Sequence, residues 1–471
     1  MKKTVFYVLV LIAFNLTAQK NALDSLLINF VNNDLLSSSH IGIQLKKISS
    51  DQMIMAVNEQ KLFVPASTQK LFTSALALSV LSSDFTYKTI VLSNDSFNTS
   101  SNYINGDLYI KGSGDPSLES KYFKNRSFIS DLSDTLAARK IKGFKGQLKI
   151  LKNNVIDYSI NSNWLWGDIG NYYGAGVSDL TFRDNTVEVY FNSSSKIGES
   201  TTITRISPLI DEFKIDNQVI TGKTKKDLAY GFGGPNNQNR YILGEIPLNK
   251  KHFKVKISMH NPEKFLSHEV SDLVEFEGKE MLQISSLDTL LVYESPTLKK
   301  IIQNINHKSN NNYTEHVLMR AMYELDSAKT LDKAALYMLK YWLKTLNSND
   351  KFSMVDGCGL SRKNSISPSL MNDLLSHMYN NVNQNIKNDF ISTLPVAGRS
   401  GTLRYLGDGT ILQNNFYGKS GSMDGIRCYA GYFIKNKEYY SFTIMLNHLT
   451  CSSIESFKLI EQFMIDIYTE L

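Results

Sequence analysis

Cysteine is scarce in this chain of 471 residues, which holds only Cys358, Cys428 and Cys451. Three thiols cannot all pair and are too few to scaffold a protein of this size, so a disulfide-stapled fold is excluded. We expect three small, buried, free thiols. Cys428 and Cys451 flank a predicted hairpin, and the sequence alone leaves open whether they form a disulfide.

Signatures of cofactor, metal and nucleic-acid binding are also missing. The stretches GKTKK at 222 and GKSGS at 418 lack the earlier glycine of a phosphate loop, because Asn217 and Gln413 stand there. The eight histidines show no metal-ligand spacing, and the net charge of +6 is spread along the chain without a basic block. The sequence therefore predicts no cofactor, no metal and no nucleic-acid partner.

The N-terminus has the pattern of a secretory signal peptide at residues 1–18. Lys2 and Lys3 precede a short apolar stretch, and Ala18 is a plausible cleavage position. The stretch is too short for a comfortable membrane span, and no nearby cysteine offers a lipid attachment site. We expect an exported, periplasmic protein without a stable membrane span, although Leu16 leaves a retained anchor open.

The periodicity of the sequence changes twice along the chain. Helical and strand patterns up to residue 85 give way to period-two alternation between 86 and 288, and helical patterns then return before two final strands and a terminal helix. An α+β domain formed by 19–85 and 289–471, interrupted by a β-rich insertion at 86–288 with two subdomains, explains this order best.

The S-x-x-K motif occurs three times, but only one copy opens an apolar run. Ser67 and Lys70 precede LFTSALALSVL, whereas the pairs at 193–196 and 348–351 lie in polar, turn-like stretches. A serine hydroxyl needs a base to act as a nucleophile, and a lysine can serve when its pKa is depressed. Spacing of i and i+3 places both side chains on one helix face, with helix-end amide groups nearby.

Two later motifs supply the other groups that such chemistry needs. Ser309 and Asn311 form S-x-N at the start of a predicted helix, and Lys419, Ser420 and Gly421 form K-S-G at the start of a predicted strand. A second cation can bind a carboxylate, and glycine lets a substrate backbone approach a strand edge.

In this order, the three motifs resemble the set found in penicillin-binding proteins and β-lactamases. The long insertion, together with YIKGSGDPSL, WGDIGNYYGAGVSDL, VDGCGLSRKNSISP and LPVAGRSGTLR, is similar to class C low-molecular-mass penicillin-binding proteins. These are the D-alanyl-D-alanine carboxypeptidase/endopeptidases. The resemblance implies an α+β, penicillin-binding/β-lactamase-like fold with an antiparallel sheet and helices. Two positions depart from the family pattern: Ser420 replaces the commoner Thr, and Cys358 the usual Ser.

The resemblance also implies a role for each site residue. Ser67 would form the acyl-enzyme, Lys70 would accept its proton, and Ser309 and Asn311 would relay the proton and position the substrate. The substrate-binding residues it implies are Lys419 and Ser420 for the carboxylate, Gly421 for strand addition, the amides of Ser67 and Ser422 for the oxyanion, and Asp168 and Tyr173 for the amine of the stem peptide.

The expected substrate is a peptidoglycan peptide, and β-lactam antibiotics are the expected covalent inhibitors. Two alternatives remain open at this point: a β-lactamase with the same motifs, and a non-catalytic wall-binding homologue.

Overall fold

The computed structural model describes residues 20–93, 102–152, 160–235, 237–280 and 287–471, so the predicted signal peptide lies outside the described residues. The described chain divides into two compact units. Unit 1 comprises the residues up to 83 together with 302–310 and 338–471, and unit 2 comprises 84–301 and 311–337. The domain boundaries predicted at residues 85 and 288 stay a prediction.

The helices and strands are numbered in chain order. The helices are α1 (20–31), α2 (Lys70–Leu81), α3 (Phe128–Ala138), α4 (Trp166–Ile169), α5 (Pro262–Ser271), α6 (Leu298–Lys308), α7 (Asn311–Asp326), α8 (Leu331–Thr345), α9 (Pro368–Asn380), α10 (Gln384–Ser392) and α11 (Ser453–Glu470). The strands are β1 (His40–Lys47), β2 (Gln52–Val57), β3 (Lys88–Ser93), β4 (Tyr103–Ile104), β5 (Leu108–Lys111), β6 (Gly143–Phe144), β7 (Leu148–Leu151), β8 (Thr186–Asn192), β9 (Thr202–Ser207), β10 (Lys214–Gly222), β11 (Leu228–Phe232), β12 (Asn239–Pro247), β13 (Phe253–Ser258), β14 (Glu275–Phe276), β15 (Asp288–Glu294), β16 (Phe416–Met423), β17 (Ile426–Lys435) and β18 (Glu438–Asn447).

Unit 1 is built on one antiparallel sheet with the strand order β16-β17-β18-β1-β2. The middle strand β18 is buried along most of its length, since helices cover both faces of the sheet. On one face α1 and α11 meet, and the rings of Phe30 and Phe463 stack at 4.1 Å. On the other face α9 packs on β1 and β18, and its Asn372 accepts a hydrogen bond from Thr443 at 2.7 Å. Because helices cover both faces, β17 and β18 are mostly buried and rich in apolar residues, and their charged residues lie near the strand ends.

The helix that carries Lys70 is buried on nearly all sides. Nine of the twelve residues of α2 are buried, and Phe72 packs edge-on against Trp342 at 6.0 Å. A helix that is apolar all round belongs in a core. This burial fixes α2 firmly, so the residues at its first turn are held in place.

Unit 2 contains four small sheets around its own core. The orders are β15-β3-β5-β7, β14-β6-β4, β13-β8-β9 and β10-β12-β11. Parallel and antiparallel pairs are mixed, and helices α3 and α5 contribute Phe128, Leu132 and Phe265 to the shared apolar core.

Many of the predicted elements are confirmed by the structure. The period-two stretches of the middle region correspond to β3, β5, β7, β8, β9 and β13. The two predicted final strands are confirmed as β17 and β18. An additional strand, β16, precedes them, and Lys419 lies within β16 rather than at the start of a strand. All three cysteines are free, as expected. Cys451, however, is partly exposed in the turn before α11, so the expectation of three buried thiols is wrong for this residue.

Among the described residues, no helix is both long enough and apolar enough to cross a bilayer.

Candidate active site

Ser67 lies in a 3₁₀ turn, Ala66–Gln69, that runs directly into α2. Ala66 has φ +48°, in the left-handed region that is costly for a residue with a side chain. A side chain on Gly359 would strike the carbonyl of Ala66, so the loop holding Gly359 packs tightly on this turn. The turn leaves Ser67 partly exposed while the following residues up to Lys70 are fully buried.

Lys70 reaches back one turn to Ser67. Its Nζ lies 3.0 Å from Ser67 Oγ, and Nζ also donates to the carbonyl oxygen of Cys358 at 2.6 Å. The Lys70 side chain is completely buried. Spacing of i and i+3 therefore brings the two groups within hydrogen-bond distance, which is the geometry a nucleophile and its base require.

The loop that presents the Cys358 carbonyl is organised by the buried Asp356. Its carboxylate accepts hydrogen bonds from the amides of Gly359 at 2.7 Å and Ser361 at 2.6 Å, and from Asn364 Nδ2 at 2.9 Å. Gln69 donates from the nucleophile turn to the carbonyl oxygen of Asp356. These bonds tie the loop to the turn that carries Ser67. None of the sequence motifs indicated this role for Asp356.

Lys419 lies within β16 and points to Ser309. Its buried Nζ donates to Ser309 Oγ at 3.0 Å and to the carbonyl oxygen of Ser420 at 2.6 Å. Burial lowers the pKa of Lys419 well below its ordinary value, and the charge of Lys70 lowers it further. Ser309 adopts φ +55° in the short connection between α6 and α7. The S-x-x-K and K-S-G motifs and the serine of S-x-N therefore lie close together in unit 1.

Strand β16 approaches the nucleophile turn at Gly421. A Cβ at this position would lie 2.8 Å from the carbonyl oxygen of Pro65 and 2.9 Å from the amide nitrogen of Ser67. Only glycine allows backbones to approach so closely. β16 is an edge strand, and past Gly418 its outer edge pairs with no other described strand. Ser422 follows with its side chain exposed, so this edge is accessible to an extended peptide.

Three predicted residues, Asn311, Asp168 and Tyr173, belong to unit 2. Asn311 begins α7 and donates from Nδ2 to the carbonyl oxygen of Tyr173 at 2.9 Å. The pKa of the Tyr173 phenol is raised by burial and then by the neighbouring Asp168, to which it is hydrogen-bonded. Asp168 and Tyr173 are both partly exposed. The three residues form one connected group in this unit.

The other two S-x-x-K pairs have ordinary structural roles. Ser193 lies in the turn after β8, where its hydroxyl donates to the carbonyl oxygen of Pro247 at 2.6 Å, and the side chain of Lys196 is 78% exposed. Ser348 lies in the turn after α8. Neither pair opens a helix, as the sequence predicted.

The sequence matches the D-Ala-D-Ala carboxypeptidase 3 (S13) family over residues 21–465. The chain belongs to this family. This chain is 27% identical to penicillin-sensitive carboxypeptidase A of Dictyostelium discoideum, across 88% of this chain and 83% of that protein. It is 24% identical to the D-alanyl-D-alanine carboxypeptidase DacB of Haemophilus influenzae, across 93% of this chain and 92% of that protein.

A solved structure agrees with the predicted fold of the S13 chain. The crystal structure of penicillin-binding protein 4 of Haemophilus influenzae superimposes with a TM-score of 0.76 at 22% identity, covering 93% of this chain and 98% of that one. The predicted family, the α+β penicillin-binding fold class and the assignment as a serine-type D-Ala-D-Ala carboxypeptidase are confirmed. The individual roles of the site residues stay predictions.

Proposed function

We propose that this protein is an exported serine D,D-peptidase whose acyl-enzyme forms on Ser67, and that it both trims peptidoglycan stem peptides and opens their cross-links. The observation that carries the proposal is the 3.0 Å separation of Ser67 Oγ and Lys70 Nζ. A buried lysine beside a serine at the end of a helix is poised to remove the hydroxyl proton.

Acylation begins when Ser67 Oγ attacks the carbonyl carbon of the penultimate D-alanine and its proton passes to Lys70 Nζ. The amide groups of Ser67 and Ser422 stabilise the oxyanion of the tetrahedral intermediate. The carbon–nitrogen bond then breaks, the leaving amine takes up a proton through Ser309, and D-alanine or the cross-linked partner strand departs. Water hydrolyses the remaining ester and restores the Ser67 hydroxyl.

The substrate's terminal carboxylate is assigned to Lys419 and the Ser420 hydroxyl. Lys419 is buried beside another lysine, and this environment disfavours its charge in the free enzyme. A bound carboxylate supplies the missing negative charge and holds Lys419 protonated. The substrate backbone lies along β16 as an added strand, next to Gly421.

The roles of the unit 2 residues rest on the family resemblance. Asn311 positions the substrate amide, while Asp168 and Tyr173 receive the ammonium group of the diamino acid in the stem. A carboxylate that accepts a phenol hydrogen bond still has lone pairs for an ammonium donor. Penicillin, which mimics the D-Ala-D-Ala end, would acylate Ser67 in the same way.

Mass spectrometry of the protein after reaction with penicillin tests the proposal. The adduct should map to Ser67, and Ser67→Ala should abolish it, whereas the matched control Ser193→Ala, in another S-x-x-K pair, should label normally. Labelling of Ser67→Ala would refute the assignment of the nucleophile. Release of D-alanine from a pentapeptide identifies a peptidase; rapid penicillin hydrolysis with an untouched peptide would instead identify a β-lactamase.

A further inference from the structure

A polar cavity in unit 2 contains none of the residues used in the proposed mechanism. Its volume is about 350 Å³. Four of the residues that line it are cationic, namely Lys121, Lys124, Arg126 and Arg183. Ser127, the N-cap of α3, also lies in the wall.

The carboxylates of this wall already have partners within the protein. Asp184 accepts hydrogen bonds from Lys121, Ser120 and Tyr313. Glu188 accepts from Lys254 and Tyr190. Glu119 accepts from the Ser127 hydroxyl and the amide of Ile129. Asp184 is buried, with Oδ2 3.0 Å from Lys121 Nζ. Asp184 and Glu188 are therefore each paired with a lysine, whereas Glu119 accepts only from neutral donors among the described residues and keeps its negative charge.

Arg183 pairs with Glu269 at 2.9 Å, which leaves two cations of the described wall against its one unpaired acid, Glu119. Lys124 and Arg126 are exposed, and neither forms an ion pair with a carboxylate of the described residues. Arg126 donates to a carbonyl, that of Ser295, at 3.2 Å, and this bond leaves most of its guanidinium donors available. A guanidinium and an ammonium at one cavity suit a ligand with carboxylate groups.

Lys256 extends this positive surface toward Tyr172. Its Nζ lies 5.3 Å from the centre of the Tyr172 ring, and that ring packs edge-on against Tyr173 at 5.5 Å. Lys256 is partly buried, and its pKa is lowered by burial and then by the charges of Lys121 and Lys254. It forms no ion pair with a described carboxylate. Lys256 therefore places a further cation between the cavity and the ring beside the Asp168–Tyr173 pair, although the carboxylates of Glu188 and Asp184 also act on it.

We propose that this cavity is a subsite for the free carboxylates of a peptidoglycan stem peptide, with Lys124 and Arg126 as its direct ligands. The identity of the ligand as a stem peptide rests on the proposed function, whereas the prediction that it carries carboxylates rests on the cations of the cavity. Asp168 would take the ammonium of the stem and the cationic cavity its carboxylates, so the unit would recognise the peptide as a zwitterion. Lys256 provides a third positive group along the same surface.

Isothermal titration calorimetry on the full chain tests this subsite without any turnover. The probe is an N-acetylated peptide with two free carboxylates and no D-Ala-D-Ala end, and its bis-amide is the matched ligand. Lys124→Gln combined with Arg126→Gln should raise the Kd of the acid at least tenfold, equivalent to about 1.4 kcal/mol. Lys250→Gln combined with Lys251→Gln, which removes two exposed charges elsewhere in unit 2, should leave the Kd unchanged. Unfolding temperatures confirm that both variants fold.

Penicillin labelling of the wild-type chain separates the two proposals. A chain that penicillin does not acylate would refute the proposed function. A chain that is acylated but binds the acid and its bis-amide equally well would overturn the carboxylate subsite alone. Displacement of the peptide by an equal concentration of inorganic phosphate would also overturn it, because it would indicate an unselective anion site.

Discussion

The close approach of β16 to the nucleophile turn makes Gly421→Ala a sensitive test of the proposed geometry. The added methyl group would lie 2.8 Å from the carbonyl oxygen of Pro65 and 2.9 Å from the amide nitrogen of Ser67. Both are backbone atoms, so no side chain can rotate away to relieve the contact. Restoring ordinary contact distances requires the strand and the turn to separate by about 0.6 Å.

This separation should lower the rate of acylation more severely than it lowers the free energy of unfolding. Overpacking at one site typically costs about 1–3 kcal/mol of the free energy of unfolding. A misplacement of about 1 Å lowers the rate of a positioned reaction by about a hundredfold. We therefore expect the second-order rate constant for penicillin acylation to fall about ten- to a hundredfold. The proposed oxyanion amide of Ser422 and the proposed carboxylate-binding residues of β16 would move away from Ser67.

Stopped-flow acylation with a fluorescent penicillin measures this rate, and thermal unfolding checks the fold. Gly234→Ala is the matched control, because a Cβ there has no neighbour closer than 3.8 Å. An acylation rate for Gly421→Ala within twofold of wild type would contradict the proposal that this strand and the turn form one catalytic geometry.

Two further predictions concern titrating groups. Because the pKa of Lys419 is lowered in the free enzyme, kcat/KM for D-alanine release should fall as pH rises through that lowered value. Lys419→Gln should lose most activity and should no longer show this fall at alkaline pH. An unchanged alkaline fall in the variant would exclude Lys419 as the titrating group. Burial lowers the pKa of His316 to about 4, and the neutral ring donates from Nδ1 to the carbonyl oxygen of Asn312 at 2.8 Å. The unfolded chain binds this proton near pH 6.5, so stability should be full above that pH and fall by about 3 kcal/mol as pH drops to 4. Urea unfolding should show that the free energy of unfolding of His316→Gln falls less between pH 6.5 and pH 4 than that of the wild type. An equal fall in the two proteins would contradict this prediction.

Periodicity predicted the long elements of the fold well and the short or atypical ones poorly. Alternating strands such as β8 carry their own signal, whereas β16 contains Lys419, Gly421 and two serines, residues with weak strand propensity. Helices α5 and α9 each begin with a capping residue followed by proline, a local start signal that does not depend on periodicity.

The candidate site shows the same division between local and distant information. The i and i+3 spacing is local, so the proximity of Ser67 and Lys70 followed from the sequence. The contact of Lys419 with Ser309 joins residues far apart in the chain, and only the family resemblance suggested it. The hydrogen bond from Lys70 to the Cys358 carbonyl could not be predicted, because every residue type carries a backbone carbonyl.

The register of the main sheet has a consequence for when the proposed site can first assemble. β1, near the start of the chain, pairs with β18, and partners such as Ile43 and Ile444 are about 400 positions apart. The chain is synthesised from its N-terminus, so the edge of β1 that pairs with β18 has no partner until nearly the whole chain has been made. A partly synthesised chain therefore lacks both the central strand and Lys419, so the proposed site cannot assemble until the last tenth of the protein has been made.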